Sequence, residues 1–185
     1  MNGTKKKASE TCIKQAALPN RYRSPRSATA GGTPPLGTIR GSVTIPNHVI
    51  RLSSELAEEF YVAAEKDEFC GDPVETYTVP NWASRNCDAW LPDLSAHGYR
   101  RAVGGYRGRE ELLVATASVD MHTDDEGLVL MVVLHNDGLT FRQGKVRHKP
   151  TTGDWFIFDD RRPHGVDEAP GRAAFLGWNI PIVST

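Results

Sequence analysis

Leu128-Val129-Leu130-Met131-Val132-Val133-Leu134-His135-Asn136-Asp137-Gly138-Leu139-Thr140-Phe141 is the stretch on which the fold turns. Seven apolar residues, β-branched at three positions, run without interruption and then meet Asp137-Gly138, the dipeptide that best tolerates a tight bend. The run falls far short of the roughly 20 residues a membrane-spanning helix needs. It reads as a buried strand, a tight turn and a returning strand.

Working outward, segments of the same kind recur with turn signals between them: 112–119 on the N-terminal side, then 145–148, 155–158 and 173–180 on the C-terminal side. Many short strands at regular spacing predict a sandwich or barrel. One helix precedes them. Leu56, Phe60 with Tyr61, and Ala63 with Ala64 recur at helical spacing, Ser53 or Ser54 is placed to cap it, and Glu55, Glu58 and Glu59 suit its first turns. The expected class is therefore mainly β with a flanking helix. Residues 68–110 are rich in turn formers and in Trp82, Trp90, Tyr99, Tyr106, Arg107 and Arg109, with little periodicity outside 74–79.

The chain has 185 residues, enough for one domain with a sizeable core. Residues 1–37 are Ser-, Thr-, Pro-, Gly- and Ala-rich with no hydrophobic period, and predict a disordered basic leader ahead of a single domain over 38–185. Seven Lys/Arg against Glu10 alone give that leader +6, and 15 basic against 22 acidic residues leave the remainder at −7. Such a body does not bind nucleic acid mainly by electrostatics; any polyanion would meet the leader first. Cys12, Cys70 and Cys87 form no paired framework. With no hydrophobic signal sequence, they fit a cytoplasmic protein.

Two histidines carry an aspartate two residues on: His122-Thr123-Asp124 and His135-Asn136-Asp137. Side chains two apart on an extended backbone point the same way, so one metal can take both members of such a pair. The second pair leads straight into Gly138 and reads as turn chemistry. The first lies between two β segments, and His164, in a polar turn after 155–158, is the candidate for a second imidazole. Two imidazoles and one carboxylate on one face leave positions open at ferrous iron for oxygen and a co-substrate.

The stretch from Met121 to Ile182 resembles the core of the 2-oxoglutarate- and iron(II)-dependent oxygenases, which have a double-stranded β-helix, or jelly-roll, fold. His122-x-Asp124 is similar to the first two ligands. Lys149-Pro150-x-x-Gly153-Asp154-x-x-x-Phe158 followed by His164-Gly165-Val166 is similar to the segment that brings in the third. Gly171-Arg172 before 173–178 resembles the strand whose arginine holds the far carboxylate of 2-oxoglutarate, and a guanidinium binds a carboxylate bidentately. Thr140, Thr116 and Ser118 are candidates for a second anchor.

The resemblance implies Fe(II) held by His122, Asp124 and His164, with 2-oxoglutarate and O2 as co-substrates. The expected reaction is hydroxylation of a C–H bond with formation of succinate, the substrate being a small molecule or protein side chain rather than nucleic acid. Two other classes share the scaffold: a cupin-type metalloenzyme that ignores 2-oxoglutarate, and a non-catalytic binding protein. The cupin pattern places two histidines one residue apart, where this chain has Asp124 at the second position. A zinc hydrolase would carry a helical His-Glu-x-x-His, which is not found here.

Overall fold

Both faces of the 128–134 run are buried, which explains why it does not alternate. Val129, Met131 and Val133 turn into one apolar cluster, and Leu130, Val132 and Leu134 into another. A strand that packs on both sides needs an apolar residue at every position.

The structure is a computed structural model, and it describes residues 38–66, 74–102, 109–125, 127–167 and 172–185. The leader expected over 1–37, Cys12, Cys70, Tyr106 and Arg107 lie outside the described residues. In chain order the elements are β1 (Arg40–Ser42), α1 (Asn47–Glu65), β2 (Val74–Thr78), α2 (Asn81–Ser84), β3 (Tyr99–Arg101), β4 (Glu111–Ala115), β5 (Val119–His122), β6 (Leu128–Asn136), β7 (Thr140–Gln143), β8 (Val146–His148), β9 (Asp154–Asp159), β10 (His164–Asp167) and β11 (Phe175–Ser184). Two short 3₁₀ turns, Cys87–Ala89 and Leu94–His97, precede β3.

One sheet has the order β1-β9-β6-β11-β4-β2, with β3 also on β11; the other has the order β5-β10-β7-β8. Every pairing is antiparallel. The eight strands β4–β11 thus divide four and four, the chain crossing repeatedly between the sheets. This is a double-stranded β-helix. The inner cluster between the sheets holds Met131, Phe141, Phe156, Phe158 and Phe175. The outer cluster lies on the other face of the larger sheet, where Leu176, Trp178 and Ile180 meet Val49 and Ala57 of α1.

The helix starts earlier than its serines suggest. Pro46 fixes φ at −58° and its carbonyl takes the first helical N–H groups, so no side chain caps α1. Ser53 is fully buried, on the face that Val49 and Ala57 also bury. The segment 112–119 is two strands with a bend between them, and it feeds both sheets. The last strand runs past Pro181, where a missing N–H suggests an end: the Pro181 carbonyl accepts from Ala102 N–H at 2.9 Å and the ladder passes to β3. In the poorly periodic stretch, Trp82, Trp90, Leu91 and Tyr99 pack on the outer cluster, Trp90 lying 5.9 Å from Trp178 between ring centroids. These aromatic residues are packing groups.

Gly165 lets β10 approach β5, since a Cβ there would stand 2.6 Å from the carbonyl oxygen of Val119. We expect Gly165→Ala to cost about 1–3 kcal/mol through overpacking against backbone. Thermal unfolding should show a midpoint lowered by roughly 2–4 °C per kcal/mol.

Candidate metal centre

β5 ends on His122 and β10 begins on His164, and the antiparallel register sets the two directly opposite. Their ring centroids are 4.4 Å apart. Asp124, two residues past His122, swings back over the pair. Its Oδ2 lies 3.5 Å from His122 Nε2 and 3.4 Å from His164 Nε2.

The rings are oriented from behind. His122 Nδ1 stands 2.8 Å from the carbonyl of Asp120, and His164 Nδ1 stands 3.1 Å from that of Arg162. A carbonyl only accepts, so each Nδ1 carries a proton and each Nε2 is left to face Asp124, as a donor when the ring is protonated and as a lone pair for a metal when it is not. One ligand atom from each of the three side chains lies within 4.8 Å of the others. Ligands sharing a face of a metal with bonds of about 2.1 Å stand about 3 Å apart, so a small contraction closes the site on a divalent ion. The donor set fits iron(II) among such ions.

The backbone of the ligand loop is tied down as well. Asp124 N–H donates to the carbonyl of Asp160 at 2.9 Å, Asp160 N–H donates to the carbonyl of Gly127 at 2.9 Å, and the Asp160 carboxylate accepts from Gly127 N–H. Asp160 is buried, and it fixes where Asp124 returns to the histidines. Sequence reasoning passed over it; the only signal was an acidic residue, among the four consecutive charged residues 159–162, that folding has buried. His164 is 7% exposed at its side chain, against 44% for His122 and 53% for Asp124, so the metal position is buried on one side and open on the other.

Hydrogen bonding from His164 holds the Asp124 carboxyl below its ordinary range. For His164, burial is the largest single influence and pulls its pKa down. The hydrogen bonds to Asp124 and to the Arg162 carbonyl, with the charges of Asp124 and Asp160, outweigh it and raise the imidazole above its usual value.

Arg172 and Thr140 are not brought to this centre. Arg172 stacks over the Tyr61 ring at 4.1 Å and its Nη2 lies 2.6 Å from Glu58 Oε1, both on α1. It shares with His135 and Asp137 a cavity of about 520 Å³ on the helix side of the larger sheet. Thr140 begins β7 opposite Asp167, at the end of the strand away from His164, and alternation turns it away from the inner cluster that its neighbour Phe141 joins. Thr116 and Ser118 fall in the bend between β4 and β5, at that same far end. His135 and Asp137 form their own pair, 2.9 Å between Nε2 and Oδ2, beside a turn that Asn136 holds through its contacts with Gly138 and Leu139.

Fold and site together define a double-stranded β-helix protein with a two-histidine, one-aspartate cluster at the open end of the barrel. No family model and no curated protein matches the chain. Solved structures similar to it include AviO1 from Streptomyces viridochromogenes Tue57, 12% identical over 83% of this chain and 90% of that one, with a TM-score of 0.49. HygX from Streptomyces hygroscopicus, solved with nickel and 2-oxoglutarate bound, is 11% identical over 77% of this chain and 81% of that one, TM-score 0.43. A Pseudomonas putida prolyl-4-hydroxylase is 16% identical over 77% of this chain and 91% of that one, TM-score 0.41.

Protons and metal compete for the same Nε2 atoms. Because the His164 imidazole holds its proton above the ordinary range, metal affinity falls as pH falls and begins to fall at a higher pH than for a free imidazole. Titration with Co(II) at about pH 8 and about pH 6 should show at least a tenfold weaker complex at the lower pH. Asp124→Ala should weaken binding by more than a hundredfold at either pH, since losing a ligand costs more than losing its supporting hydrogen bond.

Proposed function

We propose that this chain is an iron(II)- and 2-oxoglutarate-dependent oxygenase that hydroxylates a C–H bond of a small molecule or protein side chain. The observation that carries the reading is the convergence of His122 Nε2, His164 Nε2 and Asp124 Oδ2, with both Nδ1 atoms committed to backbone carbonyls. Three protein ligands on one side leave the other side for exchangeable ones, which is the arrangement oxygen chemistry at ferrous iron uses.

Bound iron would supply the activation of O2 by which 2-oxoglutarate loses CO2 to give succinate and the substrate gains a hydroxyl. The residues of the chain have the other tasks. His164 anchors the buried side of the centre. His122 and Asp124 close it from the solvent side, Asp124 contributing the negative charge that favours a divalent cation over the neutral site. Phe141 and Phe158 lie 6.0 and 5.2 Å from the His164 ring between centroids and keep that face of the site dry. A dry face strengthens the electrostatic hold on a charged ligand.

One observation favours a second reading, a metal-dependent enzyme of the same fold that does not take 2-oxoglutarate: Arg172 stands on α1 rather than at the centre. The two readings separate in an anaerobic titration with iron(II) and then 2-oxoglutarate. The visible charge-transfer band of a chelated keto acid is expected in the wild type and absent in His122→Ala. Iron binding without the band would select the second reading, and no iron binding would remove both. Aerobic turnover should then yield one succinate for each product hydroxyl.

A further inference from the structure

In the smaller sheet β10 lies between β5 and β7, so His164 has a neighbour on each side. One is His122. The other, directly opposite His164 on β7, is Gln143. Opposite residues of an antiparallel ladder share a face, and alternation with Val166 and Phe141 of the inner cluster turns His164 and Gln143 into the barrel. Gly144 N–H donates to the Pro163 carbonyl at 2.9 Å, one step past the pair. His164 and Gln143 are therefore a non-hydrogen-bonded pair, the closer kind, with Cα atoms about 4.5 Å apart.

Gln143 is 2% exposed, and an amide buried that far ordinarily uses both of its ends. This one uses one. Nε2 donates to the carbonyl of Asp159, whereas Oε1 is buried without a hydrogen-bond partner. A carbonyl only accepts, so the orientation of the amide is settled. A buried acceptor left unpaired costs stability that an apolar side chain of the same shape would not lose. The core gains little from Gln143, and its role lies where Nε2 is anchored.

That anchor is the turn 159–163, which leads into His164. The Asp159 carbonyl also accepts from Arg162 N–H at 3.1 Å, and the Arg162 carbonyl stands 3.1 Å from His164 Nδ1. Gln143 by its side chain and Gly144 by its backbone thus hold the carbonyls at the two ends of the turn. We infer that Gln143 is a positioning residue for the metal centre: its amide fixes this turn, so that the Arg162 carbonyl keeps a proton on His164 Nδ1 and leaves Nε2 for the metal. A group that orients a metal-binding imidazole from behind in this way sets affinity without touching the ion. The inference rests on the metal centre of the function proposed above and not on its co-substrate. His122 is the comparison within the same molecule, since its Nδ1 is held by the Asp120 carbonyl, on β5 rather than on this turn.

Gln143→Met keeps the length and the apolar stem of the side chain and removes the donor. Nitrogen NMR of the metal-free protein, at a pH where both imidazoles are neutral, reads which ring nitrogen carries the proton. In the wild type both histidines should carry it on Nδ1. In Gln143→Met, His164 should lose that preference and populate the Nε2–H form while His122 keeps its proton on Nδ1, and Co(II) affinity should fall by about tenfold or more. The assignment is overturned if His164 stays on Nδ1 and Co(II) affinity is unchanged, or if both histidines change together, which is a loosening of the whole centre. Should the variant not fold, the wild type decides: a Gln143 Nε2 proton held by Asp159 exchanges with solvent about a hundredfold more slowly than that of an exposed glutamine, and exchange at the exposed rate overturns the assignment. A wild type that binds no Co(II) removes the proposed function and this inference with it. One that binds the metal but gives no band with 2-oxoglutarate removes the first and leaves the second standing.

Discussion

The pairing of β5 with β10 is the contact on which the site depends. Neither strand is long, and each contributes one histidine at its end, so the metal centre exists only while His122 and His164 remain in register. Gly165 makes the close approach possible and the carbonyls of Asp120 and Arg162 fix the rings. The return of Asp124 is set by Asp160, which in turn closes the loop through Gly127. The arrangement places rigidity where ligands must be held within a few tenths of an ångström. The solvent side of the centre is left to exchangeable groups.

The pair of strands is supported from beneath by β6 and β11, which bury both faces. Their inward residues fill the barrel and their outward residues seat α1. Gly177 shows how full the barrel is: a Cβ there would run into the sulfur of Met131 and the ring of Phe175. The interior of the barrel around Gly177 is therefore filled by side chains.

The sequence made the strands of the barrel legible because its apolar runs are short and separated by turn residues with specific backbone demands, Asp137-Gly138 above all. The three metal-ligand candidates were legible through context: His-x-Asp occurs twice, and the place of His122 and Asp124 between two β segments, with His164 in the polar turn after 155–158, set them apart from the pair that leads into Gly138. Element ends were less visible. Pro46 begins a helix without a side-chain cap, and Pro181 sits inside a strand whose hydrogen bonds pass to β3. Both depend on partners distant in sequence. Trp82 and Trp90 gave no periodic signal because Trp82 sits in a helix of a single turn and Trp90 just after a 3₁₀ turn, each too short to repeat.

Side-chain direction is what separates Arg172 from the site. It lies only eight residues after His164, and by spacing alone it is well placed. Between the two, however, β10 runs away from the metal, and β11 starts at the far end of the barrel and returns. The first inward positions of that strand are occupied by Phe175 and Gly177, and Arg172 meets α1 on the opposite face, where Tyr61 and Glu58 satisfy its ring-stacking surface and its charge.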